Sequence, residues 1–134
     1  MKRTRNIAAL AGRIMLALMF VLAGFGKIEG FADTAVLMTG VGLPLVNVLL
    51  VLTILVELGG GAAIMVGWKT RPIALVVFLF TGMATLVFHA FWAAPPDQVM
   101  LQQLMFMKNV SVMGGLLMLF AFGPGDYALD DSPE

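Results

Sequence analysis

Residues 43–66 read LPLVNVLLVLTILVELGGGAAIMV, and a single formal charge, Glu57, interrupts the run. At 1.5 Å of rise per residue a helix of this length spans about 36 Å, enough for the roughly 30 Å hydrocarbon core of a bilayer. A helix apolar on every face is either a deep core element or a membrane span. A chain of 134 residues has no core large enough to hide it. The stretch therefore reads as a transmembrane helix.

Three more stretches fit the same template. Residues 7–26 contain Arg13; residues 72–93 carry no formal charge but include His89; residues 100–122 contain Lys108 and Asn109. The breaks between them are chemically consistent. Pro44 and Pro72 stand near the first turn of the spans they open, where no backbone donor is missed. Pro95-Pro96 and Gly123-Pro124-Gly125 close the last two. The connection from Ile28 to Gly42 holds Phe31, Val36, Leu37 and Met38, too apolar for a free loop, so residues 31–39 are expected to form a short interfacial helix. The expected fold is an all-α integral membrane four-helix bundle over residues 1–125, followed by a flexible acidic tail over 126–134.

Composition agrees and excludes much else. The chain is 60% hydrophobic and 12% charged, against about 25% charged in soluble domains. It has no cysteine, so no disulfide, thiol redox centre or Cys-ligated metal is expected. Eight basic and eight acidic residues leave no basic stripe for nucleic acid. One histidine cannot build a multi-histidine metal site, and no methionine is singled out by spacing as a haem partner, so neither metal nor haem is expected. The chain carries no HExxH, Walker or GxSxG motif.

Basic residues set orientation. Lys2, Arg3, Arg5, Lys69 and Arg71 fall on one side of a four-span bundle, and Lys27 is the one basic residue in the loops of the other. Both termini are therefore expected in the cytoplasm, with membrane lipids as the immediate surroundings.

Ionisable groups inside a membrane are costly and raise a functional hypothesis. If Lys27 and Leu43 both mark the outer boundary, Arg13 and Glu57 lie at one depth, about 21 Å in, and are expected to meet as a buried structural pair. The same reckoning places His89 and Lys108 roughly 25 and 22 Å from the opposite boundary. Lys27, His89, Lys108 and Asn109 are thus expected to converge on one candidate ligand site. Gly60 and Gly61 share the helix face of Glu57, which should pack closely against a neighbour.

The order and spacing of several stretches resemble the DoxX family of small four-helix membrane proteins. These are Gly12-Arg13 and the apolar run to Ala23-Gly24-Phe25-Gly26-Lys27; Gly42-Leu43-Pro44; Glu57-Leu58-Gly59-Gly60-Gly61; Gly67 to Ala74; His89; Lys108-Asn109-Val110; and Gly114-Gly115. The likeness covers nearly the whole chain and is greatest for short bacterial inner-membrane members. The family takes its name from a subunit of a terminal quinol oxidase, and other relatives act in thiosulfate:quinone oxidoreduction or beside redox proteins. The resemblance thus implies an inner-membrane subunit associated with redox chemistry, with Arg13, Lys27, Glu57, His89 and Lys108-Asn109 as the polar signature. It assigns no catalytic residue, and whether the chain is itself an enzyme stays open. The expected function is binding of a quinone or similar amphipathic ligand between the helices, with a redox protein or a second copy as partner. The alternative is a non-catalytic assembly or stability factor for a partner protein.

Overall fold

The computed structural model describes residues 1–130. Among these, five helices carry the fold. Helix α1 is Lys2–Glu29, α2 is Phe31–Gly40, α3 is Val46–Val66, α4 is Thr70–Phe88 and α5 is Val99–Phe122. A short 3-10 turn, Phe91–Ala93, follows α4 and extends that span to Ala93. Helices α1, α3, α4 and α5 are long and apolar enough to cross a membrane. Their most apolar stretches are 28% buried or less inside the bundle, so most of each apolar surface faces outward, as lipid requires. The extra helix expected over 31–39 is present as α2.

Local chemistry explains the boundaries. Gly30 accepts the first bond of α2 from Thr34, directly where α1 ends. Leu45, with φ of 48°, turns the chain into α3. Pro72 occupies the first turn of α4, where its missing N–H costs nothing. Gly123, at φ of 78°, stops α5 before Pro124.

Two glycines fix how α1 and α3 pack. A Cβ on Gly24 would lie 2.9 Å from Leu58 Cβ and 3.0 Å from its backbone nitrogen. A Cβ on Gly61 would lie 3.1 Å from both Phe20 Cβ and the Val21 nitrogen. Such backbone contact is the close approach that small residues permit between membrane helices. Gly60 faces α4 instead, against Val77. The glycine run after Glu57 therefore seats two different neighbours, and the fully buried Ile64, Val77 and Leu116 pack in one core cluster with Ala17 and Phe20.

This packing overturns the expected Arg13–Glu57 pair. With Gly24 opposite Leu58, the residue opposite Arg13 is near position 69, not 57. The displacement is about 12 residues, or roughly 18 Å. Arg13 lies instead near the end of the bundle that carries both termini. There its guanidinium donates to the carbonyls of Met65 (3.3 Å), Pro124 (2.8 Å) and Tyr127 (2.6 Å). Met65 is in the last turn of α3, where the open carbonyls carry the negative end of the helix dipole, and Pro124 and Tyr127 follow the end of α5.

Of the tail expected over 126–134, residues up to Asp130 are hydrogen-bonded to the bundle; residues 131–134 lie outside the described residues. Leu129 and Asp130 donate backbone N–H bonds to Val66 and Gly67, the last carbonyls of α3. The Asp130 carboxylate accepts from the Lys69 and Thr70 amides at 2.6 and 2.7 Å, capping the start of α4. Asn6 donates to Asp126 at 2.7 Å. The bonds of Leu129 and Asp130 satisfy backbone groups that the α3–α4 turn leaves open.

Candidate functional site

In the half of the bundle away from the termini, α1 to α5 enclose a cavity of about 980 Å³. Its wall is mainly apolar, with Phe20, Met38, Val56 and Phe80 among the lining residues. Several lining residues, Leu52 on α3 and Leu79 and Met83 on α4, are also exposed on the outside of the bundle. The cavity therefore opens sideways, towards the apolar layer of a membrane.

The polar groups of its lining are few. Lys27 Nζ lies 3.1 Å from Glu57 Oε1 and 2.9 Å from Oε2. Glu57 is buried, near the midpoint of α3, in a π-helical turn over Leu55–Gly59. A π-turn widens the helix by one residue and commonly marks a functional position. Here it lies next to the contact between Gly24 and Leu58, within one helical turn of the ion pair. A carboxylate so placed would be untenable unpaired; Lys27 neutralises it.

Asn109 and His89 are held by hydrogen bonds. Asn109 Nδ2 donates to Thr85 Oγ1 at 2.9 Å, Thr85 to the Thr81 carbonyl at 2.6 Å, and Thr81 to the Val77 carbonyl at 2.7 Å. This buried relay ties α5 to α4. His89, at the C-terminal end of α4, places Nδ1 at 2.8 Å from Gln102 Oε1. An amide oxygen only accepts, so Nδ1 is the donor in this contact. Phe91, Trp92 and Phe106 stack edge-to-face nearby, with centroids 5.2 to 5.9 Å apart. Lys108 also lines the cavity and has no hydrogen bond or ion pair among the described residues.

The four candidate ligand residues named from sequence, Lys27, His89, Lys108 and Asn109, thus line one cavity. Glu57 joins them, and Arg13 does not. Sequence reasoning missed that the carboxylate belongs to Lys27. The pattern of the DoxX family matches residues 8–90, a stretch that includes most of α1, all of α3 and His89. The chain belongs to the DoxX family.

Its relatives extend the match over the rest of the chain. Inner membrane protein YqjF of Escherichia coli is 40% identical over 130 residues, covering 97% of this chain and 95% of its own. Inner membrane protein YphA of the same organism is 32% identical over 126 residues, covering 94% and 90%. A Surfeit locus protein 4 homolog of Drosophila melanogaster is 29% identical over 131 residues, covering 96% of this chain but 42% of that protein. No solved structure matches the chain. It is thus a DoxX family membrane protein with inner-membrane relatives, and its cavity opens sideways, towards the apolar layer.

Proposed function

We propose that this DoxX protein holds an amphipathic molecule, a quinone or one built like it, in the cavity among α1 to α5. One observation carries the reading: a sideways-opening apolar cavity, in the half of the bundle away from the termini, has only a few polar groups in its lining, Lys27, Glu57, His89 and Lys108 among them. Binding sites for small molecules are typically apolar clefts with a few convergent polar groups. An apolar body would lie along Phe20, Val56, Leu79 and Phe80, and the polar head would meet Lys27, Glu57, His89 and Lys108. Nε2 of His89 is available to accept or relay a proton. Asn109 acts through α4, fixing the wall that carries Thr81 and Thr85. Association with redox chemistry follows the same reading, with electrons supplied by a partner or by the bound molecule itself.

The test is ligand content. Protein extracted directly into lipid nanodiscs is assayed for bound quinone, beside Glu57→Gln and Lys108→Ala. Stoichiometric quinone in the wild type, reduced in either variant, is the expected result. Absence of any co-purified or added amphiphile from the wild type refutes it.

A second reading, an assembly or stability factor, draws on a different observation. Within α5 the buried residues are Asn109 and Leu116, and the remainder of the helix offers surface to another helix. Residues 126–130 are engaged within the chain, so the helix flank rather than the tail would be the docking surface. Photo-crosslinking from Leu104 and Met118 tests this reading: a crosslinked protein partner at either position supports it, and lipid adducts alone refute it.

A further inference from the structure

The charges around the cavity do not balance. Its lining contains two lysines, Lys27 and Lys108, and a single acidic residue, Glu57. Lys27 is consumed by Glu57 at 2.9 Å. Lys108 is left without an ionic partner among the described residues. It is exposed on the bundle and sits nine residues beyond the start of α5 at Val99, about 13.5 Å along the helix and within the apolar span. A lone ammonium at that depth is costly, and the cost is relieved by an anion.

Resting on the cavity reading above, we infer that the cavity selects an amphiphile whose head group carries a single negative charge, with Lys108 as its counter-ion. Within the class of apolar-bodied ligands this ranks an acid head above a neutral one, the quinone included. The Lys27–Glu57 pair contributes no net charge and sets the polarity of the wall beside the head. A dianionic head would exceed the one cation left unpaired in the lining. A carboxylate and a lipid phosphodiester share the required chemistry, and experiment separates them.

The protein is reconstituted in phosphatidylcholine nanodiscs, whose lipids carry no net charge, and titrated with palmitate, hexadecanol and a short-chain ubiquinone. Palmitate and hexadecanol differ essentially in the charged head. Wild type is expected to bind palmitate at least about tenfold more tightly than hexadecanol, the ratio that one ionic contact of modest strength gives. That ratio should fall close to one in Lys108→Gln and persist in Lys108→Arg. Equal affinity of the wild type for acid and alcohol overturns the inference and needs no variant to show it. An undiminished ratio in a folded Lys108→Gln protein overturns the role of Lys108. If ubiquinone or hexadecanol binds and palmitate is no better, the cavity reading survives and the charge selection fails; if none of the three binds, both fail. Repeating the palmitate titration in phosphatidylglycerol nanodiscs identifies the source. Competition there, lost in Lys108→Gln, supports the inference with a lipid phosphodiester as occupant, and undiminished palmitate binding supports it with the free acid.

Discussion

Removing either partner of the Lys27–Glu57 pair leaves a charge in an apolar wall, whereas removing both leaves none. For fully buried pairs, loss of one partner costs about 3–5 kcal/mol. The Lys27 side chain keeps 28% of its surface, so a smaller loss of roughly 2–3 kcal/mol is expected for Glu57→Leu or Lys27→Met. The double variant should recover most of it, as measured by unfolding in one lipid environment. A double variant as unstable as the sum of the singles would show that the two side chains are not coupled. Counting residues from helix ends was enough to gather Lys27, His89, Lys108 and Asn109, because each lies in the half of its span away from the termini. It failed for Arg13 because the count assumed that Lys27 and Leu43 share a boundary. The register of α1 against α3 is set elsewhere, by Gly24 and Gly61, and no hydropathy pattern reports which residue faces a glycine.

Helix contacts give two further expectations. Gly24→Ala places a methyl within 3.0 Å of the Leu58 backbone, which cannot yield as a flexible side chain would. A loss of about 1–3 kcal/mol is expected from such overpacking. Gly114→Ala meets nothing within 4 Å and should be neutral or slightly stabilising through helix propensity. Parallel thermal unfolding of the two variants checks the contrast, and equal effects would mean that close approach at Gly24 does not hold α1 to α3. At the other end of α3, Asp130 is the device that closes the turn. Partial burial raises its pKa, but bonds from the Thr70 and Lys69 amides and the charge of Arg13 outweigh this and hold it below the usual carboxylate range. A depressed folded-state pKa contributes stability above the unfolded value, and that stability is lost as pH falls through the folded one. Wild type should therefore lose stability as pH drops below about 4, by more than Asp130→Asn does over the same range. Identical acid profiles would exclude the cap. The spans and α2 were legible because long apolar runs state their surroundings directly. The contacts of residues 126–130 were not, because their few polar side chains look like solvated chain until the open amides and carbonyls of the α3–α4 turn are seen beside them.

At the scale of the whole molecule, an even number of spans puts both termini, the α3–α4 turn and the residues Lys2, Arg3, Arg5, Lys69 and Arg71 at one end. Arg71 contributes there in a second way, its guanidinium packed over Gly123 at the end of α5. Basic residues near short connections bias that end towards the cytoplasm, and acidic residues such as Asp126 and Asp130 weigh little in the rule. The connections at the opposite end hold no lysine or arginine, and Lys27, inside α1, has its charge taken up by Glu57 within the bundle. The expected orientation is therefore termini in the cytoplasm, with the α4–α5 connection around Asp97 outside. The absence of cysteine makes the test direct, because any introduced thiol is unique in the chain. Asp97→Cys should react with a membrane-impermeant maleimide in cells whose outer envelope is permeable to it. The cytoplasmic probe is Lys2→Cys, in the exposed first turn of α1, which should react only after the membrane is opened. The reverse pattern would invert the protein and place the cavity in the cytoplasmic half of the bilayer. Labelling of both thiols in intact cells would mean two coexisting orientations.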